Sequence, residues 1–286
     1  MTEAEFIAAL RTLPLARGAE GLADDCATLR IGGETLVLTH DALAEGVHYL
    51  AGTDPADVAW KLVAVNLSDL AAKGAEPLGV LIGAALIPGA ERFVEGLRNV
   101  LAAYGVPLLG GDTIALEPGT PASFGCTAIG RATATPIPTR AGAKPGDALF
   151  VAGTVGAAML GFRAGDGEAY LRPRPLLAEG RALASHVHAM MDVSDGLLLD
   201  ARRMAEASGC TAMLSLDAFP FAPGVAPEDR IAAASWGDDY ALLFAAPAGF
   251  EPPVPAVQVG IMVQKGPEPL LLDGAKPPEK LGYEHG

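Results

Sequence analysis

Six short acidic motifs fall beside glycines or at the ends of apolar runs: Asp24-Asp25, Asp41, Asp69, Asp112, Asp192 with Asp195, and Asp238-Asp239. Carboxylates gathered in one cleft repel one another, so such a set makes chemical sense when hard cations neutralise it. For any single motif a turn or a helix N-cap is the plainer explanation, because Asp favours both. Asp69 is different. It shares a stripe at helical spacing with Val58, Leu62 and Val65, beside Asn66, and therefore projects from a buried face. An uncompensated buried charge there costs about 3–5 kcal/mol, which calls for a cation or strong donors.

Other residues suggest phosphate chemistry less sharply. Gly110-Gly111-Asp112-Thr113 follows the apolar run VPLL, where glycine amides can approach an anion while Asp112 faces a metal; the same residues also make an ordinary turn. In the stretch 140–147, Arg140 or Lys144 could meet a phosphate, and Lys144 reads better as part of a surface turn. Neither a G-x-x-x-x-G-K-[ST] loop nor a G-x-G-x-x-G turn is present. His48 stands alone, without a Ser or Cys motif that would build a nucleophile triad.

The elements that must position these groups follow from pattern. Glu34 to Thr39 alternates as a strand running into His40-Asp41, and Asp54-Pro55 opens a helix that Gly74 closes. A second helix spans 91–104 with Phe93, Val94, Leu97, Val100 and Leu101 as its apolar positions, capped by Gly105. VPLL then ends as a strand at Gly110, and 122–133 forms another. A Pro-containing connection near 137 divides the chain into domains 1–137 and 138–286. Beyond it the pattern predicts a strand at ALFVAG and a helix over 175–188. A further strand reaches Asp192, and the next helix has Ser194 as N-cap and Asp195 in its first turn. A strand at CTAMLSL, a short helix near 228–234, a strand from Tyr240 and a proline-rich tail ending in a compact Leu281-Gly282-Tyr283 complete the chain.

Composition narrows the class. The 286 residues are half hydrophobic and carry a net charge of −14, which argues against a nucleic-acid partner but leaves a phosphorylated small molecule open. No apolar run reaches the ~18–20 residues of a membrane span. The N-terminal MTEAEFIAAL carries acids early and no basic region, so no secretory signal is expected there, and three scattered cysteines fit a reducing cytoplasm rather than zinc or a disulfide framework.

In order, the chain shows ADDCA (23–27), LTHDALAEGVHY (38–49), VNLSDLAAKGAEP (65–77), GGDT (110–113), TRAGAKPGD (139–147), MDVSDGLLLD (191–200) and GDDYALLF (237–244). This series resembles the thiamine-monophosphate kinase family, within the superfamily that includes aminoimidazole ribonucleotide synthetase and selenophosphate synthetase. The resemblance implies an α+β, two-domain fold. Its N-terminal mixed α/β domain forms a dimeric sheet or barrel, and its C-terminal α/β sandwich domain completes the active site. ATP and several Mg2+ ions would lie between them, the chain would be a homodimer, and the reaction would convert thiamine monophosphate to thiamine diphosphate. Matched position by position, the implied magnesium ligands are Asp25, Thr39, His40, Asp41, Asp69, Asp112, Asp192 and Asp195. The implied nucleotide contacts are Gly111, Asp112, Arg140 and Ser194, and the implied substrate contacts are His48, Asp238 and Tyr283. Asp41, Asp69, Asp112 and Arg140 would carry the catalysis, while Asp24 and Asp239 remain turn residues.

There are departures. No glycine directly precedes Asp24, and His40 stands where Thr is common; a backbone carbonyl could serve as ligand there, so metal binding at His40 stays among the expectations. The family's GGEDYEL has become Trp236-Gly237-Asp238-Asp239-Tyr240-Ala241-Leu242. Two other readings stand beside the kinase. One is a different ATP-dependent enzyme of the superfamily: selenophosphate synthetase is disfavoured because no reactive Cys lies in an N-terminal glycine-rich segment, and aminoimidazole ribonucleotide synthetase because its motifs do not match in series. The other is a non-catalytic binder of nucleotide or thiamine phosphate.

Overall fold

A computed structural model of the chain describes residues 1–117, 119–165 and 167–284. Helix α1 (Glu3–Leu10) precedes a sheet built from β1 (Ala27–Ile31), β2 (Glu34–Ala44), β3 (Ala75–Leu86), β4 (Leu108–Ala115) and β5 (Ser123–Ala132), in the order β1-β2-β5-β3-β4. Helices α2 (Pro55–Ala72) and α3 (Ala90–Tyr104) cover it. The second half comprises β6 (Ala148–Ala152), α4 (Ala157–Ala164), α5 (Glu168–Leu171), α6 (Leu177–Leu183), β7 (Ala189–Val193), α7 (Leu197–Ser208) and β8 (Cys210–Leu214). It continues with α8 (Arg230–Ala234), β9 (Ala241–Ala246), β10 (Val257–Gln264) and β11 (Leu270–Leu272). Its sheet has the order β11-β8-β10-β6-β9-β7. The fold is therefore α+β with two sheets, as the sequence predicts.

The mixed pattern of α2 determines how the halves meet. Asp54 caps it through Ala56 N, Pro55 opens it, and every residue from Lys61 to Ala72 is buried. A helix that is apolar nearly all round must be covered on several sides. The first sheet covers α2 through β2, β3 and β5, while α6 and β7 of the second half cover it elsewhere. Gly180 of α6 approaches so closely that a Cβ would meet Ala71 O at 2.0 Å. Leu62, Leu67 and Phe124 accordingly share one core with Phe150, Leu183, Met190 and Phe244. A second core lies between the second sheet and α7, with Val151, Met191, Leu197, Met204 and Leu243. Strands β6, β7 and β9 are buried along their whole length, which is why they read as continuous apolar runs.

Several expectations are corrected. β2 runs on through His40 and Asp41 to Ala44, held by antiparallel pairing with β5 as far as Ala44↔Ser123. The GGDT segment lies inside β4 rather than at its end, in register with β3. Val94 is 52% exposed, and the buried face of α3 is Phe93, Gly96 and Val100. The helix over 175–188 shortens to α6, because the chain must leave it to enter β7. Gly196, not Ser194, is the N-cap of α7, so Ser194 and Asp195 precede the helix. The proline-rich tail contributes β10, a central strand paired with both β6 and β8.

Candidate active site

Helix α2 organises the site through residues one turn apart: Asp57, Lys61, Val65, Asp69 and Lys73. Asp57 accepts from Arg172 Nε at 2.6 Å, and Lys61 Nζ donates to Asp238 Oδ2 at 2.9 Å. Asp69 accepts a short hydrogen bond from the Thr39 hydroxyl of β2. Lys73 Nζ bridges Asp24 Oδ1 at 2.6 Å and Asp25 Oδ2 at 2.9 Å. The adjoining positions join in: Ser68 Oγ donates to Asp192 Oδ2 at 2.6 Å, and Asn66 Oδ1 accepts Asp41 N at 2.9 Å. One helix thus draws together acids from the segment before β1, from β2 and from β7.

Asp25, Asp69 and Asp192 each offer an oxygen, and these atoms all lie within 4.8 Å of one another. Burial pushes Asp69 well above the ordinary carboxylate range, and Asp41, Asp192 and Asp25 push it further. Burial and then the Asp25 charge do the same to Asp192, and raise Asp41 to about 6. Asp25 behaves oppositely. Burial opposes its charge, but Lys73 and Arg140 outweigh burial and hold it at about 2. A cluster of buried oxygen donors, one already ionised and the others destabilised by mutual repulsion, fits hard cations such as Mg2+.

A cavity of about 600 Å³ opens over this cluster. Asp25, Asp41, Asp69, Asp192, Asp195 and Arg140 line one part of it, with Ser194; His48, Asp238 and Tyr283 line another. Arg140 pairs with Asp25, and Asp195 pairs with Arg203. Tyr283 is anchored by its amide, which donates to Asp195 O at 2.9 Å. Gly237 is required where it stands, because at φ +92 a Cβ would lie 2.5 Å from Ser194 O. The next turn is pinned by Asp238 N to Ser194 O at 2.7 Å and Tyr240 N to Val193 O at 2.9 Å.

The remaining sequence-predicted residues are placed elsewhere. Thr39 lies beneath the cavity, against Asp69. The His40 ring turns to the opposite face of β2, with Nδ1 2.8 Å from Thr127 Oγ1, so the ring itself does not face the acid cluster. Gly111 and Asp112 lie on β4, exposed along its whole length, and are not among the described residues lining the cavity. Asp112 is in register with Gly83, Gly125 and then Ala42, three strand spacings or roughly 14 Å from the Asp41 region.

Some functional residues escape sequence reasoning. Asp24 and Asp239 are more than turn residues: Asp24 also accepts Arg140 N at 3.0 Å, and Asp239 accepts Gly156 N at 2.7 Å and Ala158 N at 3.2 Å. Lys61 carries a legible signal, one turn before Val65 on the Asp69 stripe, whereas Lys73 at the helix end carries none. Phe162, Tyr170 and Trp236 form an aromatic wall, with Phe162 5.2 Å from Tyr170 and 5.1 Å from Trp236, which only the tertiary fold assembles. Lys144 stays in its turn, its amide donating to Asp147 Oδ2 at 2.7 Å.

Comparison with known proteins places the chain in a family. Residues 23–132 match the model described as AIR synthase related protein, N-terminal domain, and residues 144–250 match the corresponding C-terminal domain. The thiamine-monophosphate kinase of Caulobacter vibrioides is 37% identical, covering 100% of this chain and 91% of that protein. The solved structure of AaThiL complexed with AMPPCP and TMP superposes with a TM-score of 0.87 at 27% identity, covering 100% of this chain and 97% of that one. The thiamine-monophosphate kinase structure from Stenotrophomonas maltophilia K279a gives 0.77 at 31% identity, covering 95% of each. The chain belongs to the thiamine-monophosphate kinase family.

Proposed function

We propose that the chain phosphorylates thiamine monophosphate to thiamine diphosphate with ATP, by direct in-line transfer of the γ-phosphoryl group to the acceptor's phosphate. The acceptor oxygen is already anionic, so no strong base is needed, and catalysis consists of positioning and charge neutralisation. The observation that carries this reading is the acid cluster of Asp25, Asp69 and Asp192 at one side of a cavity whose other side is aromatic. Asp25, Asp41, Asp69 and Asp192 would hold magnesium, with Asp195, the Thr39 hydroxyl and the His40 carbonyl as further oxygen donors. Magnesium bound there would screen the phosphate charges and align the transferring group. Arg140 supplies a fixed positive charge, pushed above its ordinary value: burial opposes this, and Asp25 outweighs burial. Ser194 would contact the nucleotide. His48, Asp238 and Tyr283, together with the aromatic wall, would hold the thiamine moiety.

The same reading makes the molecule a cytoplasmic homodimer with a domain boundary near residue 137. Supporting the boundary, the two family matches end at 132 and resume at 144. Supporting the dimer, β4 presents an unpaired edge with Leu108, Leu109 and Ile114 each more than half exposed. A second copy whose β4 edge lies along residues 39–44 of β2, which β1 does not pair, would let the partner's Asp112 and the partner's Gly111 complete the phosphate site.

A coupled assay for ADP tests the reaction, with thiamine monophosphate, thiamine or no acceptor, each with and without magnesium. Turnover with the monophosphate and magnesium alone is expected. Binding of both ligands by calorimetry without ADP release would instead favour the non-catalytic reading.

A further inference from the structure

Lys61 is a buried charge that the proposed reaction does not use. Its side chain is 3% exposed, two turns before Asp69 on α2. The ammonium donates to Asp238 Oδ2 at 2.9 Å and to the His48 carbonyl at 3.1 Å, and lies 3.9 Å from the centroid of the Tyr170 ring. These partners come from three segments: the turn after β2, helix α5, and the turn before β9. All three line the cavity, whereas Lys61 is not among the described residues that do.

The partners are also tied to one another. Tyr170 Oη donates to the His48 carbonyl at 3.0 Å, and Tyr240 Oη donates to Asp238 Oδ1 at 3.0 Å, so both oxygens of Asp238 are engaged. Asp238 sits at φ +58 and Tyr240 at φ +49, left-handed conformations that persist only where the surroundings hold them. Burial pushes the Lys61 ammonium below its ordinary value, and Asp238 works against that shift. Each charge therefore depends on the other.

We propose that Lys61 is the positioning residue of the acceptor end of the cavity. It aligns Asp238, the His48 turn and the Tyr170 ring for the thiamine moiety without touching it. This rests on the acceptor assignment made above. Lys61 stands roughly 12 Å along the helix axis from Asp69, so its effect falls on acceptor binding rather than on the phosphate cluster.

Lys61→Met keeps most of the stem and removes the charge. In the full chain with ATP and magnesium, the KM for thiamine monophosphate should rise at least tenfold, while the KM for ATP changes less than twofold. Because Lys61 and Asp238 are coupled, adding Lys61→Met to Asp238→Asn should raise that KM by less than a third of the factor it produces in the unmutated chain. This second comparison removes both charges and, read against the expected tenfold, stands even if Lys61→Met alone does not fold. An unchanged KM for thiamine monophosphate, equal rises in both KM values, or full additivity with Asp238→Asn overturns the role of Lys61 alone. Absence of turnover in the unmutated chain overturns the acceptor assignment, and this inference with it.

Discussion

Two aspartates in one cluster are shifted in opposite directions. Asp25 meets Lys73 and Arg140 and is kept at about 2, whereas Asp69 meets Asp41, Asp192 and Asp25 in a buried setting and is pushed well above the usual range. Without a cation, Asp69 is therefore a liability to the fold. Asp69→Asn should lower turnover by about 10²–10³-fold, the scale seen when one electrostatic stabiliser is removed. Its melting temperature in EDTA should equal or exceed that of the unmutated chain. Magnesium should raise the melting temperature of the unmutated chain and leave the variant nearly unmoved, because only a ligand that binds the native state stabilises it. Near-normal turnover, or an equal magnesium shift, would reject the cluster. Asp69 was legible because periodicity alone places it on a buried stripe. Lys73 was not, because a lysine at a helix end is ordinarily solvated and only the fold folds Asp24 and Asp25 back onto it.

Among the elements, α4 shows how a distant residue replaces a local cap. Gly156 carries no capping side chain, and the Asp239 carboxylate accepts Gly156 N and Ala158 N from across the fold. Burial raises Asp239 from 3.8 to about 7 against those two hydrogen bonds. A carboxylate raised in the folded state stabilises fully below its unfolded value, and the contribution is lost as pH rises through the folded value. The unmutated chain should thus lose stability relative to Asp239→Asn between about pH 4 and 7. Thermal melts across that range check it, and parallel profiles would refute it. Elements with strong local signals, such as α2 with its Asp-Pro start and α3 with its Gly105 cap, were legible within a residue or two. β10 was not, because VQVGIMVQ sits in a proline-rich stretch and its pairing with β6 and β8 is wholly non-local. Helix α6 was overextended because apolar spacing does not reveal where the chain must turn into β7.

At the scale of the molecule, both sheet edges of the first domain remain apolar, with Leu29 and Ile31 exposed on β1 and Leu108, Leu109 and Ile114 on β4. The proposed dimer covers β4 and brings the partner's Asp112 to a site from which this chain's own Asp112 is separated by three strand spacings, roughly 14 Å. Mixing subunits tests this. Chains carrying Asp69→Asn and chains carrying Asp112→Asn, each inactive alone, should regain turnover when refolded together, since one site of each mixed dimer is then intact. No recovery, or a monomer by light scattering, would remove Asp112 from the site.

By itself the sequence determined the family, and through that resemblance the α+β class, together with the placing of Asp69 on a buried helical stripe, because motif order, hydrophobic period and cap chemistry are local properties. Tertiary structure decided which acids share a cavity, which cations hold them, and that Asp112 stands apart on an exposed edge. Those facts depend on a buried α2 clasped between two sheets, and contacts across more than a hundred residues leave no local pattern to read.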